Sequence, residues 1–159
     1  MHIWTIDNWE KIYSTINVKS GLRLHFDKAV DNDIKRACKQ FANWLREEYF
    51  FPVRVNIYFK DQEYIRAIDG ENVSATFWEP FDRDLTPYIK IAAGDYPKLL
   101  HKWGNDNAIS SYLYSIAHEL THYFQWINDV KLTEIGMERQ ATTYAHYVVS
   151  EYTETTEHP

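Results

Sequence analysis

The stretch Ser115-Ile-Ala-His-Glu-Leu-Thr-His-Tyr-Phe-Gln-Trp126 restricts this chain more than any other. Leu113, Ile116, Ala117, Leu120, Phe124 and Ile127 recur at the spacing of one helix face, which predicts a long amphipathic helix turned toward a core. Ser111, Ser115, His118, His122 and Gln125 fall on a neighbouring, more polar face. Residues four apart on a helix are neighbours, so His118 and His122 can converge on one ion while Glu119 reaches beside it. With this chain's usage of His and Glu, a His-Glu-x-x-His run arises by chance in roughly one sequence in fifty of this length, so its context has to decide what it means.

Two neutral imidazoles supply two ligands of a catalytic zinc; a third comes from elsewhere in the protein and a fourth position stays open for water. The first helix runs out near Asn128, Asp129 and Lys131, and a second periodic segment begins after Thr133 and continues toward Tyr152. So short a connection predicts antiparallel packing. His122 then lies about 9 Å of helix rise before the break and Glu138 about 6 Å after the restart, at similar heights. Ala141 and Ala145 share a face with Glu138 and permit close approach of the two helices. Glu138 is the expected third ligand; Glu134, Asp129 and His146 are the alternatives.

His-Glu-Leu-Thr-His-Tyr-Phe (118–124) followed by Glu-Arg-Gln-Ala-Thr-Thr-Tyr-Ala (138–145) resembles the gluzincin metallopeptidases, most closely the small ImmA/IrrE-like peptidases with their E-x-x-A-x-x-[FY]-A second motif. The resemblance covers the last third of the chain. It implies an α+β, zincin-like fold: a small twisted four-stranded sheet, mostly antiparallel or mixed, with a backing helix, an active-site helix and a following glutamate-bearing helix. It also implies one zinc ion per chain on His118, His122 and Glu138, with Glu119 as general base. A metzincin would need glycine and histidine at the positions held by Gln125 and Asn128, which excludes that pattern.

The expected reaction is hydrolysis of a peptide bond in a protein or peptide, the resemblance adding a regulatory protein as one such substrate. Tyr144, His146 and Tyr147 are candidates to stabilise the oxyanion, and Thr142 to hydrogen-bond a ligand histidine. Two rival readings are a catalytically inactive regulatory or interaction module in which zinc only staples the two helices, and a polar helix face that holds no metal.

The 159 residues, 45% apolar and 16% aromatic, suit one domain over 1–159 with a substantial core, a lead over 1–20 and a polar tail over 151–159. A net charge of −6 with scattered basic residues argues against nucleic acid as a partner. No stretch approaches the about 20 apolar residues that cross a membrane, and the start lacks a secretory pattern, so a cytoplasmic protein is expected. Cys38, the lone cysteine, reads as a small buried hydrophobe.

Upstream, residues 6–16 form a short helix or irregular lead, with Trp4 and Trp9 packing on the domain. Strands are expected over 22–26, 53–60, 73–78 and 88–93, a backing helix over 27–49, a turn at Asp69-Gly70 and a loop through Asp82, Arg83, Asp84 and Pro87. His25 reads as a solvated strand residue. Residues 94–107 form an irregular approach to the zinc helix, where His101 is a minor catalytic candidate. After Ser150 the acidic tail frays, unless one of its carboxylates folds back on the metal and holds the protein latent.

Overall fold

The computed structural model describes residues 2–7, 19–82 and 85–156. Most of the expected lead, with Trp9, and loop residues Arg83 and Asp84 lie outside them.

Strand β1 (Leu22–Phe26) is followed by helix α1 (Asn32–Glu48) and strand β2 (Val55–Lys60). Asp31 caps α1, its carboxylate accepting from the Asp33 amide, and Ile34, Cys38, Phe41, Ala42 and Leu45 make its buried stripe. This is the expected backing helix. Burial pushes the Cys38 thiol up to about 12, leaving it a packing group. A small hairpin, β3 (Ile65–Arg66) with β4 (Asn72–Val73), turns at Asp69-Gly70, where Gly70 donates to the Ala67 carbonyl and Ala67 to that of Glu71. Strands β5 (Ala75–Trp78) and β6 (Tyr88–Ala92) follow.

The main sheet has four strands in the order β1-β2-β6-β5. It is mixed, but β1–β2 and β2–β6 are parallel and only β5–β6 is antiparallel, so the antiparallel share is smaller than expected. The cause is α1, which carries the chain back so that β2 runs in the direction of β1. The expected strand over 73–78 is divided at Ser74: residues before it pair in the hairpin and those after it form the sheet edge. Val55, Ile57 and Phe59 of β2 and Ile89 and Ile91 of β6 are buried against the helices, and His25 is exposed on β1, bonded to Asn56.

Residues 94–107 are not irregular. Helix α2 (Tyr96–Trp103) has proline in its first turn, where the missing N–H costs nothing, and stops at Gly104. Gly104 has φ 83°, a backbone state glycine adopts freely, and there the chain swings into α3 (Asn105–Ile127). His101 is exposed in the last turn of α2.

Three side chains of helix α3 anchor it from behind. Tyr112 donates to Asp95, Trp4 Nε1 donates to Thr121 Oγ1 at 3.0 Å, and the fully buried Tyr123 hydroxyl satisfies both the N–H and the C=O of Val53. Trp4 thus packs on the domain as expected. Ile116, Leu120 and Ile127 are fully buried, each contributing about 1.5–3 kcal/mol relative to exposure. The second half of α3 is buried nearly all round, beyond the stripe that periodicity predicts, because the sheet, a following helix and the turn around Trp4 enclose it.

The chain leaves α3 through a Schellman turn: Val130 donates to Gln125 O, Asp129 to Trp126 O, and Asp129 takes φ 53° in place of the usual glycine. Thr133 then caps α4 (Glu134–Thr156), its hydroxyl accepting from Gly136 N. Contacts run backward along α3 as α4 advances, from Gln125 with Met137 to Tyr114 with His146, so the pair is antiparallel as expected.

The tail does not fray at Ser150; α4 continues to Thr156. Glu151 accepts from the Tyr49 hydroxyl at 2.7 Å, and Tyr152 packs on Phe41 and Trp44. Glu151 is about 20 Å of helix rise beyond Glu138, which removes it from the metal cluster. Deleting residues 151–159 is therefore expected to lower stability by about 2–4 kcal/mol, seen as a drop in melting temperature, without raising activity. No helix among the described residues is long and apolar enough to cross a membrane.

Candidate metal centre

His118 and His122 sit one turn apart on the face of α3 turned toward α4, and Glu138 comes from the first turns of α4. Among the described residues these three form a cluster able to hold a metal ion, one donor atom from each lying within 4.8 Å of the others. Each Glu138 oxygen faces one imidazole: Oε2 is 3.2 Å from His118 Nε2, and Oε1 is 2.9 Å from His122 Nε2.

Both separations are of hydrogen-bond length, and one atom from each residue lies close enough to the others for a single ion to contact all three. Burial, reinforced by His122, holds His118 below the usual imidazole value against the opposing pull of Glu138. A neutral imidazole is the form that binds a metal, so burial favours the state of His118 that an ion needs. Two nitrogens and one carboxylate oxygen are borderline donors of the kind zinc takes.

Glu119 lies behind this cluster, only 7% exposed, and its Oε2 is buried without a hydrogen-bond partner. Burial, with Glu138 adding, pushes its carboxyl up to about 8. Two cavities meet at His118 and Glu119. One, about 630 Å3, is lined by Phe77, Trp126, Met137 and the ligand residues; the other, about 540 Å3, by Ser111, Tyr114, Ser115 and His146. Both also touch Ala75 on β5, the strand at that edge of the sheet. Glu138 is 59% exposed at the side chain, so the cluster opens to solvent on the α4 side.

The polar face anticipated on α3 lines these cavities. The alternative ligands do not join the cluster: Glu134 and Asp129 line the larger cavity, while His146 packs at a tilt against Tyr114 in the smaller one. Tyr144 and Tyr147 flank the His2 ring, 4.9 and 5.1 Å away, because their positions on α4 face the N-terminal turn. Thr142 is exposed, and the partner of the His122 Nδ1 is instead Gln125 Oε1 at 2.8 Å. Gln125 is buried and bonded on both its amide ends. Its place three residues after His122 was the signal for that contact.

Comparison of the chain with protein-family models, curated proteins and solved structures finds no match, so what this centre does rests on its own geometry.

Proposed function

We propose that this protein is a zinc-dependent, gluzincin-like peptidase with a zincin-like fold, in which His118, His122 and Glu138 hold the ion and Glu119 is the general base. The observation that carries the reading is the buried, unpartnered Glu119 oxygen, placed where two cavities meet beside a three-donor cluster. A structural zinc closes its shell with four protein ligands, and a cluster of three among the described residues favours an open position over a staple.

When bound, zinc supplies a Lewis acid that acidifies water and polarises a carbonyl. Glu119 takes a proton from the attacking water and returns one to the leaving amine. Substrate is held by β5. Ala92 N donates to Ser74 O, so Ser74, Thr76 and Trp78 spend their backbone groups on β6, and by alternation those of Ala75 and Phe77 point to the open edge. An extended peptide adds there as a further strand, past His118 and Glu119. A protein substrate must present such a segment, as a flexible region of a regulatory protein does.

The test is digestion of an unstructured peptide library by the zinc-loaded protein, read by mass spectrometry. Cleavage that stops with chelator and returns with zinc is expected, and an intact library under zinc saturation would refute the reading. Ala75→Pro, which removes an outward N–H and leaves the β6 ladder whole, is expected to raise KM about 10-fold with little change in melting temperature.

A further inference from the structure

The two histidines differ on the side away from Glu138. His118 Nδ1 is buried and has no hydrogen-bond partner, whereas His122 Nδ1 is 2.8 Å from Gln125 Oε1. The orientation of the Gln125 amide is settled by its other end. Nε2 lies 3.0 Å from the Met137 carbonyl, which can only accept, and 3.0 Å from Gln140 Oε1. The nitrogen therefore belongs there and the oxygen faces His122. An amide oxygen only accepts, so His122 Nδ1 carries the hydrogen. Its Nε2, 2.9 Å from Glu138 Oε1, is the nitrogen left to face the cluster, where a bound ion takes the place of any hydrogen shared with that carboxylate.

Resting on the zinc reading above, we infer that Gln125 is a positioning residue: it holds His122 in the Nδ1–H tautomer and, through Met137 O and Gln140, ties that imidazole to the turn of α4 that carries Glu138. Gln125 is 4% exposed and both hydrogens of its amide nitrogen are engaged, so the clamp is rigid before any ion arrives. His122 and Glu138 are the pre-set pair, and His118 has no such enforcement. Outer partners of this kind change metal affinity about 10- to 100-fold.

Two variants separate the two parts of the clamp. Gln125→Glu keeps an acceptor for His122 Nδ1 and loses the donors to α4; Gln125→Met keeps the length and loses both. The first measurement is the imidazole 15N spectrum of the metal-free wild type at one neutral pH. His122 is expected to show a pyrrole-type Nδ1. The tautomer is expected to persist in Gln125→Glu and to become mixed in Gln125→Met.

The second measurement is zinc competition with a chelator, where Gln125→Met is expected to weaken binding about 10- to 100-fold and Gln125→Glu by less. An Nε2–H tautomer in the wild type, or unchanged zinc affinity in a folded Gln125→Met protein, would overturn the inference. Should that variant not fold, the wild-type spectrum decides. A locked tautomer in a protein that neither binds zinc nor cuts peptides would instead count against the peptidase reading and leave the tautomer lock standing.

Discussion

Glu119→Gln is expected to lower peptide hydrolysis by at least about 100-fold while zinc content stays at one ion per chain. The amide keeps the volume and one acceptor but cannot take the proton. Glu119 contributes no donor to the metal cluster, so retention of the ion should be unaffected. Glu119 is also 7% exposed with one oxygen unpartnered, so exchanging a buried acid for a neutral amide does not unfold the protein. The metal-free variant is expected to melt no lower than the wild type. Turnover at the wild-type rate by a zinc-loaded, folded Glu119→Gln sample would remove the base from the mechanism.

Glu138→Ala is expected to weaken zinc binding by more than the about 100-fold that loss of an outer partner causes, because it removes a donor. Both Glu138 oxygens face an imidazole, and neither histidine has another carboxylate in the cluster. The fold should survive: the side chain is 59% exposed, the position is helical and alanine favours helix, so the stability change stays within about 0.5 kcal/mol. Chelator competition gives the affinity and circular dichroism the helix content. Unchanged zinc retention would transfer the third ligand to Glu134 or Asp129, which line the same cavity.

Much of the centre could be read from local spacing. His118 and His122 four apart, the break near Asn128 and the restart after Thr133 place the imidazoles and Glu138 at matching heights, since helix rise per residue hardly varies. Where local patterns misled, a contact distant in sequence was responsible. The acidic segment 151–156 looks like a fraying end, yet Tyr49, Phe41 and Trp44 hold it helical. Tyr144 and Tyr147 have chemistry suited to an oxyanion, but the face of α4 they occupy meets His2.

The amino-acid sequence by itself determined α1, α3 and the start of α4, the inward strand positions and which three side chains meet, because backbone periodicity and a short connection leave those placements little freedom. Only the tertiary structure decided that β5 is the edge strand beside the cluster, that Glu119 is nearly buried where two cavities meet and that Gln125 holds His122. Those features depend on how strands order across the sheet and on what encloses each side chain, and both are set by packing between residues far apart in the chain.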